Sequence, residues 1–124
     1  MVLPVPLSEA RQKKRGYNQT ALMAYPISQY FNLPYQPYSL RRIRDTRSQV
    51  GLTGTERREN LRDAFRAEET LVKRKIVVLV DDVFTTGSTL NSCALALKKG
   101  GASQVYGITL GRPVGYTQDF WDLI

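Results

Sequence analysis

The sequence predicts an α/β domain built on a mainly parallel sheet flanked by helices. Three observations carry that expectation. Lys75 to Val80 (KIVVLV) holds five apolar residues in a row without alternation, which suits a central parallel strand covered on both faces. Strand-like runs lie on either side of it in the chain, at Val2 to Leu7 and at Ser103 to Leu110. Segments with helical spacing separate them, and strands that alternate with helices imply a parallel sheet.

The elements follow in order. Val2 to Leu7 (VLPVPL) reads as a short strand opening into a loop, because Pro4 and Pro6 lack the donors a long central strand needs. Asn18 is placed to cap a helix over residues 19–31, whose apolar stripe is Leu22, Met23, Ile27, Tyr30 and Phe31. Pro26 predicts a break or kink in it. A second strand is expected around Tyr38 to Leu40. Arg41 to Gly54 is polar and basic with two glycines, and reads as a mobile loop. Thr55 to Phe65 (TERRENLRDAF) suits a charged helix or turn with Leu61, Ala64 and Phe65 facing inward. Leu90 to Lys99 reads as a helix stopped by Gly100-Gly101. The last strand shows period-two alternation around Val105, Gly107 and Thr109, and residues 111–124 show no regular pattern.

Composition narrows the function classes. At 124 residues the chain reads as one domain over residues 1–124. The formal net charge of +7 favours an anionic partner: phosphates, nucleic acid or an acidic surface. With one cysteine, Cys93, and no histidine, a disulfide framework, a Cys/His zinc site and His-based general-base catalysis are excluded. Cys93 itself reads as a small buried residue. Neither a signal-peptide pattern nor an apolar stretch near the ~20 residues of a membrane span is visible, so a cytoplasmic protein is the expectation.

The segment with chemistry is Asp81 to Thr89 (DDVFTTGST), directly after the apolar run. In an open α/β sheet, ligands sit beyond the carboxyl ends of the strands. Asp81 and Asp82 are therefore expected to face a crevice and to accept hydrogen bonds from the two hydroxyls of a ribose. Such charge-assisted bonds contribute about 1.5–3 kcal/mol each. Thr85, Thr86, Gly87, Ser88 and Thr89 supply backbone N–H groups and hydroxyls for a phosphate, Gly87 allows a positive φ, and the following helix adds its positive dipole end. Neither G-x-x-x-x-G-K-[ST] nor G-x-G-x-x-G occurs in the chain.

Val77 to Thr89 (VVLVDDVFTTGST) resembles the signature with which type I phosphoribosyltransferases bind phosphoribosyl pyrophosphate (PRPP). With PVPLSEARQKKRGYNQ at Pro4 to Gln19 and TRSQVGLTGTERRENLRDAF at Thr46 to Phe65, the likeness is to the ComF group of that superfamily and spans nearly the whole chain. It implies the type I transferase core. Asp81 and Asp82 would bind the ribose hydroxyls, and Thr85 to Thr89 the 5-phosphate. Leu7 to Arg15 corresponds to the pyrophosphate loop, with Arg11 and Arg15 as candidates there. Arg47 and Gln49 fall in the flexible loop that closes over PRPP. Mg²⁺ would arrive bound to PRPP, largely without direct protein ligands, and a homodimer would be an ordinary state for such a core. ComF proteins usually carry an N-terminal zinc-binding segment; this chain starts almost at the first strand. It is also short of a complete hood, the part that selects the acceptor, so a partial domain is one expectation.

Two readings of function stay open. One is a PRPP-binding module of ComF type, which the resemblance links to DNA uptake and natural competence. The +7 charge fits that role, and arginines near Tyr35 and Tyr38 could contact single-stranded DNA. The alternative is a catalytically active, Mg²⁺-dependent phosphoribosyltransferase acting on a base or amine.

Overall fold

The computed structural model describes residues 1–7, 12–14, 16, 18–44, 51–83 and 87–111. Their elements run β1 (Val2–Pro4), α1 (Ala21–Tyr30), β2 (Leu40–Arg42), α2 (Gly54–Leu61), β3 (Phe65–Ala67), α3 (Glu69–Val72), β4 (Ile76–Val83), α4 (Ser88–Lys99) and β5 (Gln104–Gly111). Strands β1, β4 and β5 form a parallel sheet with β4 in the middle. Strands β2 and β3 form a separate antiparallel pair. The expected α/β architecture is therefore present.

The order follows from burial. In β4, Val77, Leu79 and Val80 are all but fully buried, as the unbroken apolar run requires of a strand covered on both faces. Val77 and Leu79 pack in one cluster with Leu3, Cys93 and Leu97, on the α4 side. Val80 and partly buried Val78 pack with Val2, Ala24, Met23 and Ile27, on the α1 side. Helix α4 presents Cys93 and Leu97 four residues apart, one turn of apolar stripe. Its end lies close against the β3–α3 segment. A Cβ on Gly100 would come within 2.9 Å of the Ala67 Cβ and 3.1 Å of the Val72 side chain, so Gly100 allows close packing as well as ending the helix.

Strand β1 is short, as its prolines predict, and is locked at both ends. Val5 donates to the Val80 carbonyl at 2.8 Å. The Val5 carbonyl in turn accepts from the Thr20 hydroxyl at 2.8 Å and from Asn18 Nδ2 at 3.2 Å. Asn18 Oδ1 accepts the Thr20 N–H at 3.0 Å. The residue expected to cap α1 thus also ties its start to the end of β1.

Several boundaries depart from the sequence reading. Helix α1 runs unbroken through Pro26. Pro26 and Leu22 both lie on the exposed face, so the Leu22 carbonyl that Pro26 leaves without a donor faces solvent. The second strand sits at Leu40–Arg42, which puts Arg41 and Arg42 in a strand instead of a loop. Helix α2 begins at Gly54 because Thr53 and Glu56 form a capping box, at 3.2 Å and 2.7 Å. Leu61, Ala64 and Phe65 are buried, as expected of that segment. No helix among the described residues is long and apolar enough to cross a membrane.

The Gly100 contact gives a direct test. Gly100→Ala should overpack the α4–β3 junction and cost about 1–3 kcal/mol in urea unfolding. A variant as stable as the parent would contradict the packing described.

Candidate functional site

The site begins where the core ends. Strand β4 continues past its apolar run through Asp81 and Asp82 to Val83, with Asp81 opposite Thr109 and Val83 opposite Gly111. The two acids are therefore strand residues, and the pleat sends them to opposite faces. Asp81 continues the Val77–Leu79 row toward α4 and is only 9% exposed. Asp82 continues the Val78–Val80 row toward α1 and is half-buried. This corrects the expectation that both carboxylates face an open crevice: a buried central strand keeps its pleat to its last residue, so one acid stays in the protein.

Burial sets the chemistry of Asp81. It pushes the carboxyl up to about 7 from the ordinary 3.8. The Asp82 backbone N–H, 2.9 Å from Asp81 Oδ1, pulls the other way, and the Asp82 side chain adds to the rise through a hydrogen bond and its charge. Cys93, fully buried on α4, has its thiol pushed well up, first by burial and then by the Asp81 charge, while Arg42 of β2 opposes both. Asp81, Cys93 and Arg42 thus lie within electrostatic reach of one another under the start of α4. The Arg42 guanidinium sits 5.2 Å from the centre of the Phe65 ring, a cation–π contact that fixes its direction.

Across from the acids, Gly87 precedes α4 in the left-handed region at φ 78, the positive φ its position invites. Ser88 and Thr89 belong to the first turn of α4 and are half-buried, so the helix starts two residues before the expected Leu90. That first turn carries no acidic residue, and Gly87 brings no capping side chain. A helix N-terminus so composed attracts an anion through its N–H groups and dipole. Of the other expected ligands, Thr85 and Thr86 lie outside the described residues, as do Arg11, Arg15, Arg47 and Gln49. The described residues contain no group of three His, Cys, Asp or Glu side chains placed to hold a metal. Arg42 and Arg66 were not singled out as site candidates from the sequence, because three-residue strands carry too little periodicity to show which way a side chain points.

The model of the phosphoribosyl transferase domain matches residues 2–113. This chain belongs to that family. Its similarity to competence protein F of Haemophilus influenzae (40% identical over 106 residues, 84% of this chain and 46% of that protein) places it with the ComF-like members. The DNA utilization protein YhgH of Escherichia coli is 38% identical over 104 residues, covering 84% of this chain and 45% of that protein. Competence protein ComFC of Bacillus subtilis is 30% identical over 113 residues, 90% and 44% respectively. The chain spans under half the length of these curated relatives. Among solved structures, glutamine PRPP amidotransferase from B. subtilis superposes with a TM-score of 0.58 at 21% identity over 87% of this chain and 22% of that one. An allosteric regulatory enzyme of purine biosynthesis gives 0.54 at 22% identity, over 87% of this chain and 21% of that one. These likenesses establish the shared fold.

The raised carboxyl of Asp81 has a signed consequence. Between about pH 4 and pH 7 the folded protein holds a proton that the unfolded chain has lost, so stability contributed by that proton falls as pH rises through this window and is gone above it. The steepest loss is about 1.4 kcal/mol per pH unit. Asp81→Asn should lose this dependence and gain on the parent as pH rises from 5 to 8, measured by urea midpoints. Parallel curves for the two proteins would refute the burial argument.

Proposed function

We propose that the end of β4 and the start of α4 bind PRPP. The supporting observation is the path of the chain: two carboxylates end a buried central strand, and the left-handed Gly87 then opens a helix whose first turn is free of acid. Family membership supports the same ligand. In this reading the ribose 5-phosphate rests on Thr85, Thr86, Gly87, Ser88 and Thr89 at the helix N-terminus. Asp82, on the face away from α4, takes a ribose hydroxyl. Asp81, whose Oδ1 accepts the Asp82 N–H, supports that geometry and takes the second hydroxyl once ionised. Arg11 and Arg15 would meet the pyrophosphate, with Arg47 and Gln49 over it. Mg²⁺ bound to the diphosphate would neutralise its charge and favour its departure. The donor set fits an ion carried by its ligand, since Asp81 and Asp82 are spoken for by the sugar and its support.

PRPP–Mg²⁺ should therefore bind the parent protein in calorimetry. Asp82→Asn should weaken it about 10–100-fold, the worth of one charge-assisted hydrogen bond, and the Asp81→Asn, Asp82→Asn double variant should abolish it. Equal affinity for parent and double variant would sink the reading.

The printed names of the relatives support a role in handling DNA during uptake, and the basic charge favours single-stranded DNA as a partner. Catalysis is the alternative, and a screen of bases and amines for pyrophosphate release from PRPP decides it. Turnover with any acceptor makes the protein a phosphoribosyltransferase; none, alongside PRPP binding, leaves a binding module.

A further inference from the structure

We propose that the cleft beside the β2–β3 hairpin is a second anion site, built for the consecutive phosphate groups of an extended polyanion. It is separate from the PRPP reading, since neither Asp81, Asp82 nor any residue of α4 lines it.

The cleft has a volume of about 960 Å³ and lies at the carboxyl end of β1, between Pro4, Pro6 and Leu7 on one side and the hairpin on the other. Four arginines line it, Arg41, Arg42, Arg44 and Arg66, and among its described lining residues there is no aspartate or glutamate. Two of the arginines are placed against their own electrostatics. Arg41 and Arg66 are direct partners across the antiparallel pair. Like charges so opposed destabilise a sheet. Both side chains are exposed, and among the described residues no carboxylate forms an ion pair with either. A hairpin does not gain stability from that arrangement, so a ligand is the simplest reason for it.

The chemistry of the ligand follows from the donors. Guanidinium forks match phosphate oxygens two at a time, and two forks side by side match successive phosphates better than one isolated anion. The floor adds an aromatic surface: Tyr38 is 81% exposed at the rim, and Tyr35 lies deeper. A planar group attached to the phosphates could stack there. Consecutive phosphates occur in inorganic polyphosphate and in the backbone of a single strand of nucleic acid, and the test separates these sources.

Binding of inorganic tripolyphosphate and of an oligodeoxythymidylate should be measured in parallel, for the parent chain, for Arg41→Ala with Arg66→Ala, for Tyr38→Ala and for Asp82→Asn. The double arginine variant should bind at least one of the two probes about tenfold more weakly, and the salt slope for the oligonucleotide should become shallower by about 1.4. A loss confined to tripolyphosphate identifies a small polyphosphate. A loss confined to the oligonucleotide, shared by Tyr38→Ala, identifies a strand. The double variant should also melt no lower than the parent, because it removes an opposed like-charge pair, and should keep its PRPP affinity. The proposal is overturned if the parent binds neither probe, if the double variant binds both as the parent does, or if Asp82→Asn loses as much. That last result would assign the anions to the β4 site.

Discussion

The structure depends on one demand made of β4: its middle must be dry on both faces and its end must meet polar ligands. Parallel pairing with β1 and β5 satisfies its backbone, and the two apolar clusters built on α4 and α1 cover its side chains. Because the strand stays pleated to Val83, the change from valine and leucine to aspartate happens inside the sheet. One acid of the pair therefore inherits the buried side of the row.

That inheritance explains the asymmetry of the site. Asp81 carries a proton-holding tendency that a surface carboxylate lacks, and it is tied to the Asp82 N–H. Asp82 has the more open side. A ligand that needs two carboxylates must draw a proton off Asp81, which couples binding to pH. The same low-dielectric setting makes hydrogen bonds to the ionised pair strong once formed. Arg42, steered by Phe65, is the basic group whose charge reaches this region from the hairpin, and it also lines the basic cleft. It stands between the two proposed anion sites and belongs to the electrostatics of both.

The basic residues divide in a way that total charge does not reveal. Lys98 and Lys99 complement the end of α4, and Lys98 Nζ reaches the Ser103 carbonyl at 2.7 Å, so they serve the fold. Arg41 and Arg66 oppose each other and serve no comparable contact among the described residues. A charge of +7 is thus partly structural support and partly a surface waiting for an anion.

The sequence by itself determined the fold class, the central strand, the glycine before α4 and the identity of the candidate phosphoribosyl-binding segment. Each rests on local rules: an unbroken apolar run, a residue type that tolerates positive φ, and a fixed order of acids and small hydroxyl residues. The capping box of α2 was also legible in Thr53 and Glu56, though the helix was expected one residue later. What only the tertiary structure decided is where strand ends and loop begins, which of two adjacent aspartates is buried, and which arginines share a cleft. Those outcomes depend on partners distant in the chain. Asp81 is strand because Thr109 lies beside it, and buried because α4 lies over it. Arg41 meets Arg66 because two three-residue strands pair across 23 intervening positions whose sequence shows no periodicity to announce it.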